Sequence, residues 1–441
     1  MAADNDMITS ALGRFFKLGG LAGRVGVSVV GSQVLEVARS GPSKQIKKTE
    51  NLLRNAARIV ETLGELKGAA MKVGQMLSLQ DGLLPREVAE ILRALQKETR
   101  PVPPEVIDLE IRSTLENYDD IFESLEPEAF AAASIGQVHR GVLRDGRQVA
   151  VKIKYPLIDE IVTADLANLK TVLKALFTLV MDGDFDPIWK EVRDRLLEEL
   201  DYRHEAQNIR SMADLHAGIP DIVVPEIVDR ACSRNVLTME YLDGIPPDEA
   251  CSGRWSQQLR DRWGVVLVEF LLRGLLEHRM LHADPNLANF SFREDGSVVV
   301  YDYGCVKKVP ASVAAGYADL ILAAVEDRKH EIPMILHRMG LCKAGGAPLP
   351  LELTDPWVAI FDPILAESPP YVFGEDDRFF SNLMDLKLRT WSYTTDVRFP
   401  EDLLFISRTF AGHFGNLSSL RATGPWRDLA IEYAGKAIRR M

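Results

Sequence analysis

The period of the apolar positions changes along the chain. Between residues 45 and 80, Ile59, Leu63, Leu66, Ala70, Val73 and Leu77 recur at helical spacing, which predicts a long helix with one buried face. Lys72, Gln75 and Gly68 project from its opposite side, while Gly68, Ala69 and Gly74 keep it thin enough for another element to approach. A second helix is expected over 85–98. After the break at Pro101, Pro103 and Pro104 a third runs to about residue 118. From residue 130 the period shortens to two. Runs at 137–143 and 148–154 flank Asp145-Gly146, a hairpin signal. Helices are then expected over 158–182 and 187–215, and the latter would carry Glu198, Asp201 and Glu205 near one face. A β run ends near Glu240 and leads to a Gly244 and Pro246 exit. A long amphipathic helix is expected over 255–280, a short β run at 298–301, and another helix over 311–326. The remainder reads as helices with Pro- and Gly-bearing breaks.

Composition places this α+β pattern in a globular protein. At 441 residues, two lobes or one core with large additions is the expected plan. Hydrophobic residues make up 46% and charged residues 26%, which excludes wholesale disorder. A net charge of −12 argues against a broad nucleic-acid surface. One segment departs from it: Arg14, Lys17, Arg24, Arg39, Lys44, Lys47 and Lys48 face a single acid, Glu36. Two readings of this Gly-, Val- and Leu-rich stretch stand. Phe15, Phe16, Leu18 and Leu21 insert into a membrane surface whose anionic headgroups meet the basic residues, or small residues pack the stretch as a helix on its own protein. The cysteines Cys232, Cys251, Cys305 and Cys342 form no CxxC pair and read as reduced thiols. No run reaches the roughly 18 apolar residues of a transmembrane helix, and Asp4 and Asp6 precede any apolar core, against a secretory signal. The expectation is a cytoplasmic protein, held peripherally on the inner face of a membrane.

The chemistry concentrates at residues 282–304. Asp284 and Asn289 are five apart, as in a kinase catalytic loop, and a β run then delivers Asp302 on an Asp-Tyr-Gly turn. In that arrangement one carboxylate stands near an attacking hydroxyl or water, the Asn reaches a metal, and the second acid bridges metal and phosphates. Upstream, Lys152 ends a Val-Ala-Val-Lys strand after a hairpin and a small-residue turn, which makes it the candidate phosphate-binding lysine. The extended stretch after Met239 suits an interlobe linker. There the Glu240 carbonyl and the Leu242 amide can pair with an adenine edge.

Assembled, these residues resemble the UbiB (AarF-domain) family of atypical kinase-like proteins, which includes mitochondrial and bacterial ATPases supporting coenzyme Q biosynthesis. The resemblance runs from about residue 61 to 304. It rests on Lys72-Val73-Gly74-Gln75, the Ala-rich loop Ala131, Ala132, Ala133, Ser134, Ile135, Gly136, Gln137 and Val138, the pair Glu199 and Asp201 followed by Glu205, the loop from His282 to Asn289, and Asp302-Tyr303-Gly304. It implies a two-lobed, protein-kinase-like α+β fold. A basic and apolar segment (1–44) would precede a helical extension (45–120) packed over the active site, a kinase-like N-lobe with a helical insertion (121–242) and a mainly helical C-lobe (243–441). It implies ATP and Mg²⁺ as cofactors, Ala150 and Met239 among the nucleotide contacts, Lys152 on the phosphates and paired with Glu205, Asn289 and Asp302 on Mg²⁺, and Asp284 as the catalytic-loop acid. Lys72 and Gln75 would lie across the site and meet Glu199 and Asp201.

Three departures from ordinary protein kinases bear on mechanism. Alanines replace a Gly-rich loop and stiffen it. Ala283 stands where an arginine would read an activation-loop phosphate. The chain enters a helix soon after Gly304, without an activation segment. Together these favour ATP hydrolysis, or phosphorylation of a small or lipid-like molecule, over protein phosphorylation. A protein kinase and a nucleotide-switched lipid scaffold are the alternatives. An anionic membrane surface and quinone-biosynthesis proteins are the expected partners, and nucleic acid is not.

Overall fold

The computed structural model of the chain describes residues 102–133, 135–160, 186–368, 370–374 and 397–440, with isolated positions between 162 and 174 and between 379 and 386. Lys72, Gln75, Ser134, the first two expected helices and the cationic segment lie outside the described residues. The chain divides into two compact units. One runs to His204 and takes back Asp229–Thr238; the other comprises Glu205–Val228 and Met239–Met441.

The first unit is built on a sheet. Helix α1 (Pro104–Thr114) starts with proline in its first turn, where no intrahelical N–H is needed, and buries Ile107 and Ile111. Strands β1 (Phe122–Leu125), β3 (Gly136–Leu143), β4 (Gln148–Lys154) and the strand Val236–Glu240 lie side by side in that order, and β2 (Ala131–Ala132) also pairs with β3. The expected hairpin forms β3 and β4, antiparallel, with Val138 opposite Lys152. Gly146 turns it at φ 85°, in the left-handed region that glycine enters without penalty. From Val149 on, β4 is buried on both faces. Val149, Val151 and Ile153 take one face; Ala150, Lys152 and Lys154 take the other. Gly136 is needed where β3 begins, since a Cβ there would lie 2.2 Å from the Ile153 carbonyl oxygen.

The helix expected over 187–215 is two helices, α2 (Asp186–Glu199) and α3 (Tyr202–Leu215). Asp201 makes the break. Its carboxylate accepts from the Arg203 N–H at 3.0 Å, an N-cap that starts a new helix. Glu198 and Glu205 therefore stand on different helices, and the shared acidic face is not formed.

In the second unit α3 continues from Glu205. Strand β5 (Ile222–Val223) runs parallel to β8 (Val298–Val300), which pairs antiparallel with β7 (Phe290–Phe292). A two-stranded ladder joins β6 (Met280–His282) to β9 (Val306–Lys308). The helix expected over 255–280 is shorter. Ser256 caps α4 (Gln257–Leu272) by accepting from the Leu259 N–H, and a π-helical turn, Arg273–Glu277, ends it. Arg279 then takes φ 53°, and the chain enters β6 instead of continuing as helix. Helix α5 (Ala311–Val325) packs on α7 (Trp426–Arg439), and α4 packs on α6 (Glu401–Leu420). Trp263, Phe290, Phe292, Val299 and Tyr303 are almost fully buried in this core. Among the described residues no helix is long and apolar enough to cross a membrane.

Candidate functional site

The first unit holds the Ala-rich loop and Lys152. Ala131 lies opposite Val138 and Ala132 opposite Gln137, and the Ala133 N–H donates to the Gly136 carbonyl at 2.9 Å. Val138 in turn faces Lys152, so adjacent strands carry the loop and the lysine. Lys152 is 6% exposed, and its Nζ lies 5.2 Å from the centroid of the Tyr202 ring, a cation–π distance. Ala150 shares its face. Glu199 ends α2, whereas Asp201, held below the usual carboxylate range by the Arg203 side chain, is occupied as the cap of α3.

The second unit holds the loop between β6 and β7. Asn289 donates through Nδ2 to the Asp284 backbone carbonyl at 3.1 Å. Its own carbonyl accepts from the Tyr301 N–H at 2.9 Å. Asp302 folds back on its turn, with Oδ1 accepting from the Gly304 N–H at 2.9 Å. Gly304 permits this: a Cβ there would stand 3.2 Å from that oxygen and 3.9 Å from Glu205 Oε2, which also shows Glu205 beside the turn. One helical turn on, Asn208 donates to the Tyr303 carbonyl at 2.9 Å. His282 fixes the turn from below, since its Nε2 lies 2.6 Å from the Asp302 carbonyl and must be the protonated nitrogen. Burial keeps that imidazole below its usual pKa, hence neutral, with the Asp302 hydrogen bond opposing the shift. From α6, Asn416 donates to the Pro285 carbonyl at 2.9 Å.

In the linker, Met239 is buried, and the Glu240 N–H donates to the Glu226 carbonyl at 2.8 Å. The Leu242 carbonyl accepts from the Tyr301 hydroxyl at 2.8 Å. The second unit thus brings Asp284, Asn289 and Asp302 onto connected turns, with Glu205 of α3 beside the last of them. Sequence reasoning missed Tyr301, Asn208 and Asn416, which support these groups from a distance. Only Tyr301 left a signal, a hydroxyl-bearing residue beside the second acid.

Residues 94–335, more than half of the chain, match the ABC1 atypical kinase-like domain. The chain is 31% identical over 430 residues to the mitochondrial atypical kinase COQ8B of Rattus norvegicus, covering 95% of this chain and 80% of that protein. To COQ8B of Danio rerio it is 33% identical over 342 residues, covering 74% of this chain and 53% of that protein. Among solved structures, Rv3197 of Mycobacterium tuberculosis in complex with erythromycin superposes with a TM-score of 0.63 at 29% identity, covering 89% of this chain and 98% of that one. The α+β fold is therefore kinase-like, with a mainly helical C-terminal part, and the chain belongs to the ABC1 (UbiB) family of atypical kinase-like proteins.

Proposed function

We propose that the chain binds MgATP and hydrolyses it, or passes its phosphoryl group to a small or lipid-like acceptor, in support of isoprenoid-quinone or other membrane-lipid metabolism. The wiring of the loop after β6 carries the reading. Because Asn289 Nδ2 is committed to the Asp284 carbonyl, the amide's Oδ1 is left as the ligand atom, and Asp302 adds a carboxylate on a closed turn. One amide oxygen and one carboxylate suit Mg²⁺, which keeps phosphate oxygens and waters as its other ligands. When bound, the ion neutralises charge on the phosphate oxygens. Asp284 is assigned to orienting the attacking water or hydroxyl and accepting its proton at a carboxylate oxygen. Lys152 is assigned to phosphate oxygens.

The route after Gly304 disfavours a protein substrate. Residues 305–310 alone separate the turn from α5, and Val306–Lys308 of these are tied into β9. That leaves no free span on which a peptide could dock. The quinone or lipid assignment follows from the family resemblance and from the cationic segment at 14–48. Binding of a fluorescent ATP analogue tests the site. Affinity should depend on Mg²⁺ and fall about tenfold or more in Asn289→Ala; binding indifferent to both would refute the assignment.

A further inference from the structure

Tyr301 joins two parts of the second unit. Its backbone N–H donates to the Asn289 carbonyl at 2.9 Å, and Asp302 follows it directly. Its side chain goes to the linker: the hydroxyl donates to the Leu242 carbonyl at 2.8 Å, and the Ser291 hydroxyl lies 2.6 Å from the same phenol oxygen. A phenol has one hydrogen, so Ser291 is the donor of that second bond. The linker is held at a further point. Ile245 and Phe292 exchange backbone hydrogen bonds at 2.6 and 3.0 Å. Gly244 backs onto Ser291 so closely that a Cβ would lie 2.1 Å from Oγ. The Leu242 amide, by contrast, donates to no group among the described residues.

We propose that Tyr301 determines base specificity: by donating to the Leu242 carbonyl it occupies one of that oxygen's two acceptor positions and holds it toward the phenol, leaving the linker to offer a base the Leu242 N–H and the Glu240 carbonyl. That pair matches N1 and the 6-amino group of adenine, one acceptor and one donor. The inference rests on the MgATP reading above. A purine with an added amino group at C2 carries a second donor beside N1. While Tyr301 holds the Leu242 carbonyl toward itself, that donor exchanges its water for an oxygen already engaged and weakened as a partner. Once the carbonyl is released, the donor is satisfied.

The test is competition of ATP and 2-amino-ATP against a fluorescent ATP analogue, in the unaltered chain, Tyr301→Phe and Ser291→Ala. Tyr301→Phe keeps the ring and removes the hydroxyl, so the affinity ratio of 2-amino-ATP to ATP should rise about fivefold. Ser291→Ala loosens the hydroxyl without removing it and should raise the ratio about twofold; it serves alone if Tyr301→Phe does not fold. A purely structural role would weaken both nucleotides alike. ATP binding with an unchanged ratio in the variants overturns this inference and leaves the MgATP reading intact, whereas an unaltered chain that binds neither nucleotide overturns both.

Discussion

Lys154 is a charged side chain at 1% exposure, and its surroundings explain how that is tolerated. Its ammonium donates to Asp159 at 2.7 Å and to the Leu200 carbonyl at 2.6 Å, and Asp159 also meets Arg234 at 3.0 Å. A buried charge needs such partners, so Asp159→Ala should destabilise the chain by about 2–3 kcal/mol in urea unfolding; an unchanged midpoint would show that the Leu200 carbonyl suffices. The alternation of β4 places Lys154 on the face of Lys152. Its burial was not legible, because one partner is a carbonyl 46 positions away. Two histidines add a pH dependence. Burial pushes His413 down to about 3 and His216 to about 4, while an unfolded histidine titrates near 6.5. Between those values the unfolded chain holds protons that the folded chain does not. Stability is therefore full above about pH 6.5 and declines as pH falls toward 4. His413→Phe should lose less stability than the unaltered chain between pH 7.5 and 5, measured by urea midpoints. An equal loss in both would contradict this.

Elements were legible where local chemistry decided them and obscure where packing did. Asp145-Gly146 marks the β3–β4 hairpin because a tight turn needs a residue at positive φ. The apolar pattern of α4, however, continues past Leu272, and nothing local announces the π-helical turn. What stops the helix is tertiary: at Gly274 a Cβ would lie 3.1 Å from the Met280 carbonyl oxygen, where the chain returns as β6. The break before α3 was announced by Asp201, a capping residue hidden inside an acidic helical pattern. Packing of α6 makes a prediction at this scale. A Cβ at Gly412 would stand 2.2 Å from Pro285 Cγ, and Asn416 binds the Pro285 carbonyl, so Gly412→Ala should push on the loop carrying Asp284. We expect a loss of about 1–3 kcal/mol of stability together with lower ATP turnover. Unchanged turnover and melting temperature would mean that α6 does not set the loop.

For the whole molecule, five ordered motifs made the family and the α+β kinase-like class readable from sequence, because each is a distinctive run of residues at a fixed place in the chain. Much of the support behind the motifs was not readable, since the groups that hold the Tyr303, Asn289 and Pro285 carbonyls come from Asn208, Tyr301 and Asn416, which are far apart in sequence and of which Tyr301 alone left a signal. The acidic chain with a cationic segment at 14–48 carries a further expectation. Deleting residues 14–48 should reduce flotation with anionic vesicles, most strongly at low salt; equal flotation without them would remove the membrane assignment. The central claim, that residues 282–304 form a MgATP-processing centre, is tested most directly by phosphate release from ATP by the purified chain and by Asp302→Asn, with anionic vesicles present and absent. Turnover should fall about a hundredfold or more in Asp302→Asn, while equal phosphate release by the two proteins would contradict the account.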